Sequence, residues 1–294
     1  MSEDGRSGLT IIAFVGSVFS PYYAWARRRG AANPEDHCAV NVALYGPDRK
    51  RWSLTERDAG ALARSPAELA IGPSTMRWRG HWLEIDVAEV TVPVPGYLRG
   101  RIRLHPAALH DTPYALDAAG RHYWRPAAPC ARVEVDMRRP RLHWRGDGYF
   151  DMNWGSEPLE QGFRRWDWSR AALANGRSAV LYDREGPAGE TSALGLCFSP
   201  GGGVEPFVPP PRVALPATRI WRISRASQVE PDGAVGVLKT LEDTPFYARS
   251  LIRTRLLGET VRAVHESVSL ERFRRTWVQA LLPFRMPRVR RAQR

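Results

Sequence analysis

Trp144-Arg-Gly-Asp-Gly-Tyr-Phe-Asp-Met-Asn-Trp-Gly155, near the middle of the chain, sets the pattern for its surroundings. Gly146 and Gly148 flank Asp147, a spacing that predicts a tight turn. Beyond it the residues alternate, with Tyr149, Asp151 and Asn153 on one side and Phe150 and Met152 on the other. That is the period of a β-strand, whose successive side chains leave opposite faces of the sheet. The polar three then share one face among apolar neighbours, the reverse of the usual arrangement. A carboxyl buried among aromatic rings without a cation beside it keeps its proton near neutral pH, so Asp151 is a candidate acid. For an arbitrary aspartate, a turn cap or an arginine partner is the stronger reading. The aromatic setting shifts the balance here.

Similar alternation extends to both sides. Residues 131–137 alternate strictly, as do 98–104, and Leu83, Ile85 and Val87 alternate with Glu84 and Asp86 after a turn at Trp78-Arg-Gly-His81. Residues 10–19, 37–45 and 51–56 read as earlier strands, the first ended by Ser20-Pro21, and alanine-rich 58–64 as a short helix or turn. Residues 121–124 form a brief strand before Pro126. Past Gly155, strands are predicted over 165–168, 178–182, 194–199, 220–223, 235–241, 248–256 and 261–270, with a hairpin at Gly258. A helix is predicted over 271–282, where Phe273, Trp277, Val278, Leu281 and Leu282 share a face and Pro283 stops it. The fold class is all-β. Its expected architecture is two antiparallel β-barrel or sandwich domains, 1–160 and 161–294, with a short amphipathic C-terminal helix.

The composition narrows the function. With 294 residues and 43% hydrophobic content the chain builds a real core. Cys38, Cys130 and Cys197 are scattered, which favours a reducing compartment and argues against a cysteine zinc site. The histidines show no metal-ligand spacing, and no metal is expected. Gly201-Gly-Gly203 lacks phosphate-loop spacing. Residues 9–19 are too short to span a bilayer and follow a partly acidic start, so they read as a buried strand and not a signal peptide.

The net charge of +12 concentrates at the C-terminal end. Residues 249–294 carry twelve arginines against three glutamates, and Phe273, Trp277, Leu281, Leu282 and Phe284 are interleaved among them. Contact of 271–294 with anionic membrane lipid is favoured over a nucleic-acid patch, with a solvated basic tail as the bland alternative.

His122-Tyr-Trp124 supplies a second pair of residues two apart on one strand face. Joined to Tyr149 and Asp151 it would place four groups around one cavity. A hydrogen-bonded histidine and a core tryptophan are the bland reading, and spacing alone favours it. His265 and Glu266 are adjacent on a predicted strand and point to opposite faces. An all-β protein with an aromatic-lined cavity and one unusual acid describes a carrier of an apolar ligand as well as an enzyme.

Ala13-Phe-Val-Gly-Ser-Val-Phe-Ser-Pro-Tyr-Tyr-Ala-Trp25 and Gly146-Asp-Gly-Tyr-Phe-Asp-Met-Asn-Trp-Gly155 resemble motifs of the carotenoid 1,2-hydratase (hydroxyneurosporene synthase) family. Glu89-Val-Thr-Val-Pro-Val-Pro95, His122-Tyr-Trp-Arg-Pro126 and His265-Glu-Ser-Val-Ser-Leu-Glu-Arg272 match in the same order. The resemblance implies two lipocalin-like domains and a cofactor-independent hydro-lyase of carotenoid biosynthesis in photosynthetic bacteria. Its substrates would be acyclic carotenes such as neurosporene and lycopene, hydrated at the C1–C2 double bond of the ψ-end. The catalytic residues carried over by motif are His122, Trp124, Tyr149 and Asp151, with Asn153 and Trp154 as support. Asp151 would donate the proton, and the ring faces of Trp124 and Tyr149 would stabilise the cation. The expected location is cytoplasmic, peripheral on the inner photosynthetic membrane. Some members carry an aromatic strand ahead of the Ala13 motif, so the first barrel is expected to be open or completed differently here. A non-catalytic lipocalin-like carrier of isoprenoids is the rival reading.

Overall fold

A computed structural model of the protein describes residues 1–30, 32–47 and 50–289. Arg290, Arg291 and Arg294 of the basic end lie outside them. Among the described residues the fold is all-β, with sheets of four, eight, seven and two strands. Pairing is antiparallel throughout the hairpins, as in Gly8–Val15 with Cys38–Tyr45 and Leu83–Val90 with Tyr97–Pro106. The short Arg288–Val289 strand instead runs parallel to Arg51–Arg57.

Two compact units are present. The first comprises Met1–Pro106, Ala131–Tyr149 and Gln279–Arg294, the second Ala107–Cys130 and Phe150–Val278. The chain passes from one to the other along two long strands, His122–Arg139 and Leu142–Gly155. The predicted short strand at 121–124 and the one at 131–137 are thus a single element, which continues through Pro126 and Pro129. Beside them, Ala107 N–H donates to the Cys130 carbonyl and His110 N–H to that of Ala127.

Alternation builds the core of the first unit. Val40, Val42 and Leu44, Ile85 and Val87, and Val133, Val135 and Met137 all point inward. Each fully buried aliphatic side chain contributes about 1.5–3 kcal/mol. The predicted turn at Gly146-Asp147-Gly148 does not form, because these residues lie inside the Leu142–Gly155 strand and the reversal falls at Pro140-Arg141. The glycines serve close approach instead. Ser2 bridges to Gly146, and a Cβ on Gly146 would stand 1.9 Å from the Met1 carbonyl oxygen. One on Gly148 would meet Leu104 at 3.3 Å. Asp147 pairs with Arg132 at 2.9 Å.

Two helical readings are corrected. Pro21–Arg28 is a helix, where the sequence reading had Ser20-Pro21 end a strand and placed no helix. The Ser20 side chain accepts a hydrogen bond from the Tyr23 N–H at 3.0 Å, and Pro21 occupies the first turn. The expected 271–282 helix is split into Leu270–Phe273 and Thr276–Leu281. Phe273 and Val278 are both fully buried, yet five residues on an unbroken helix lie about 140° apart. The break lets both reach core, while Trp277, Leu281 and Phe284 remain exposed.

The described C-terminal residues of the first unit are built into it. Arg288 donates to Glu56 Oε1 at 2.6 Å and to the Asp36 carbonyl at 2.8 Å, and His37 Nδ1 stands 2.9 Å from the same Glu56 oxygen. Gln279 accepts from Trp25 and Arg28. Arg288 is therefore not part of a free basic tail.

In the second unit the seven-stranded sheet packs Leu181, Ile252, Leu256 and Val261 inward with small residues. Inward positions elsewhere on the same strands are polar. Arg212 pairs with Asp167 at 2.6 Å, Ser267 donates to Asp167, and His265 Nε2 donates to the Ala226 carbonyl at 2.7 Å. Burial depresses the proton affinity of His265. Glu266, on the other face as expected, pairs with Arg249 at 2.8 Å. Leu257 and Gly258 both take positive φ, which closes the predicted hairpin. Residues 220–223, expected as a strand, form a loop.

Candidate active site

His122 opens its strand, and alternation sends His122 and Trp124 to one face of it. Trp124 is completely buried, and its Nε1–H donates to Asp151 Oδ2 at 2.8 Å. The indole packs against Tyr114, 5.6 Å away, and Tyr182, 5.7 Å away. Trp166 continues the layer at 6.1 Å from Tyr182, and Phe163 at 5.8 Å from Trp166. Burial raises the proton affinity of the Tyr182 phenol, which therefore stays neutral. One oxygen of Asp151 is held by an indole at the edge of an aromatic layer, an arrangement that fixes where its other oxygen points.

The second anchor is His122, 1% exposed. Its Nε2 lies 3.3 Å from Glu157 Oε1, whose other oxygen takes Arg121 Nη1 at 2.8 Å. A carboxylate accepts, so Nε2 is the donor to Glu157. The ring leans on Phe163 at 5.0 Å. Two glycines make room for it: a Cβ on Gly155 would come 2.5 Å from Nδ1, and one on Gly162 would come 2.6 Å from Nε2. Gly162→Ala is therefore expected to push the imidazole off Glu157, at a stability cost of about 1–3 kcal/mol. Urea denaturation of that variant measures the cost, and a wild-type value would show that the contact is slack.

Tyr149 is half-buried, the last residue of the first unit, and shares a strand face with Asp151 two positions on. Asn153 is exposed on the same strand. Trp154, 45% exposed, stacks on Tyr123 with ring centres 5.7 Å apart. Within the second unit the predicted residues brought into contact are thus Trp124 and Asp151, while His122 is tied to a residue the sequence reading did not single out. Gly201 and Gly202 form a turn ahead of the Val204–Pro206 strand. Among the described residues no group of three or more His, Cys, Asp or Glu side chains is placed to hold a metal ion.

Residues 11–294 match the family described as carotenoid hydratase CrtC. The chain belongs to that family. It is 57% identical over 289 residues to the acyclic carotenoid 1,2-hydratase of Thiocapsa roseopersicina, covering 98% of this chain and 71% of that protein. The same figures for the acyclic carotenoid 1,2-hydratase of Rubrivivax gelatinosus are 49% over 290 residues, 98% and 71%. For that of Cereibacter sphaeroides they are 38% over 279 residues, 95% and 98%.

In this carotenoid hydratase family member, Glu157, Gly162 and Tyr182 line the candidate site, and sequence reasoning missed them. Glu157 sits in Ser156-Glu157-Pro158, outside any periodic pattern, so nothing marked it. Tyr182 ended a predicted strand, and only its cross-strand pairing with Trp168 and its packing on Trp124 give it a role.

Proposed function

We propose that the protein is an acyclic carotenoid 1,2-hydratase, adding water across the C1–C2 double bond at the ψ-end of carotenes such as neurosporene and lycopene. The Trp124–Asp151 hydrogen bond carries this reading. A carrier of apolar ligands has no use for a carboxyl held in a chosen direction at an aromatic wall.

Hydration of an isolated trisubstituted alkene needs an acid placed at C2. Asp151, protonated on the oxygen that Trp124 does not hold, transfers its proton to C2 and leaves a tertiary cation at C1. Aromatic faces stabilise such a cation without trapping it, at about 0.5–2 kcal/mol each and more when desolvated. Tyr149 serves here, on the strand face of Asp151. Trp124 acts mainly through its N–H, because its ring is completely buried and packed by Tyr114 and Tyr182. Water adds to C1, and its surplus proton returns to Asp151, so the acid is regenerated. His122, its ring held by Glu157, orients that water. Asn153 and Trp154 border the open end of the strand and guide the chain of the substrate.

No described helix is long and apolar enough to cross a membrane. A cytoplasmic enzyme meeting its substrate at the inner membrane surface agrees with this chemistry. The reading is tested by anaerobic incubation of the purified protein with lycopene in detergent micelles made in heavy-oxygen water. Mass spectrometry is expected to find one or two labelled waters added to the carotene. Unchanged lycopene with ligand bound would identify a carrier.

A further inference from the structure

We infer that the loop at 216–224 and the start of the Thr276–Leu281 helix form a wedge that docks on an anionic lipid surface. Ile220 is 73% exposed at the tip of this loop, and the loop is braced from several directions. Asp243 accepts from the Ile220 N–H at 2.8 Å and the Trp221 N–H at 3.2 Å. The fully buried Thr218 closes the base, its hydroxyl accepting from the Ile223 N–H at 2.9 Å. Arg272 donates to the carbonyls of Trp221 and Arg222. Arg222 itself takes a positive φ of 53°, which turns the loop back. An isoleucine held out to solvent by so many fixed contacts is presented, and is not merely left over from folding.

The wedge has an apolar body and a cationic rim. Trp221 stacks on Trp277 with ring centres 6.1 Å apart, and Trp277 is 48% exposed. Arg219, Arg222, Arg274 and Arg275 are exposed on the two segments that carry these rings. Beside the loop lies a cleft of about 180 Å³ with Arg165, Arg272 and Arg275 in its wall. Its two carboxylates already have partners, Asp167 in Arg212 and Glu271 in Arg164. An aliphatic tip, an interfacial tryptophan pair and unneutralised guanidinium groups match a bilayer of anionic phospholipid, whose phosphates meet the arginines while the tip enters the acyl boundary. This surface differs from a basic tail: it is a folded part of the second unit. It rests on the proposed hydratase reading only for its purpose, delivery of a membrane-borne carotene.

The test is flotation of the full-length protein with vesicles of phosphatidylglycerol and phosphatidylcholine. The wild-type protein is expected to float with these and to be released by high salt, and Ile220→Asp with Trp277→Ser to bind at least tenfold more weakly. Arg219→Glu or Arg274→Glu is expected to weaken binding roughly fivefold or more each. These side chains are exposed, so unchanged thermal melting is expected and certifies the fold. Hydration of micellar lycopene stays at the wild-type rate in these variants, and hydration of lycopene in anionic vesicles falls with binding. Wild-type flotation by the doubly substituted protein overturns the proposal. So does absence of flotation in the wild type, equal binding to pure phosphatidylcholine, or lipid-free self-association abolished by the same substitutions. If the wild type floats but hydrates no carotene even in micelles, the hydratase reading fails and the docking surface stands.

Discussion

Asp151→Asn is expected to lower carotene hydration by about 10³-fold, in the range that a single positioned general acid supplies. The substitution preserves shape, and the amide oxygen of asparagine can still accept from Trp124 Nε1–H, which stands 2.8 Å from the Asp151 carboxyl oxygen. Stability and carotene binding should therefore remain near wild type, with the loss appearing in kcat and not KM. A rate within tenfold of wild type would remove Asp151 as the proton donor. Trp124→Phe completes the series. It keeps an aromatic ring against Tyr114 and Tyr182 but removes the N–H that orients the carboxyl. Misplacement of the acid by about 1 Å costs roughly 10²-fold, so this variant should lie between Asp151→Asn and wild type. Retention of most activity in Trp124→Phe would mean that the ring, and not the hydrogen bond, is what matters.

Arg288→Ala should destabilise the protein by about 3–5 kcal/mol, the cost of leaving a buried charge without its partner. Glu56 is 0% exposed and Arg288 reaches it at 2.6 Å, with His37 2.9 Å from the same oxygen. Total stabilities of folded domains are about 5–15 kcal/mol, so the loss takes a large share of the whole. Urea denaturation of the variant measures it, and adding Glu56→Gln should recover part by removing the stranded charge. A loss below about 1 kcal/mol would place Arg288 among ordinary surface arginines. Lipid flotation should not change in a folded fraction of the variant, since Arg288 lies outside the wedge at Ile220 and Trp277.

The split C-terminal helix shows where local reading stops. Phe273, Trp277, Val278, Leu281 and Leu282 have helical spacing, and the pattern was right that a helix occurs there. It could not tell which apolar residues meet core and which stay outside. Phe273 packs against Phe246 and is fully buried, whereas Trp277 stacks on Trp221 and remains half exposed. The Pro21–Arg28 helix is a different case. Ser20-Pro21 is a helix-start signal as much as a strand-stop signal, and the cap bond to Tyr23 decides between them.

The local pattern of this chain determines that it is all-β, and the i, i+2 spacing of His122 with Trp124 and of Tyr149 with Asp151 already sets each pair on one strand face. Side-chain direction in a strand has period two, so it is written in the order of residues. The family motifs add the chemistry. Only the tertiary structure joins Trp124 to Asp151, 27 residues later in the chain, and His122 to Glu157, 35 residues later. It also turns the glycines at 146 and 148 from a supposed turn into points of close approach. Such contacts depend on which strands become neighbours and on how closely backbones pack. Those are global properties of the folded chain, to which no short window of sequence is sensitive.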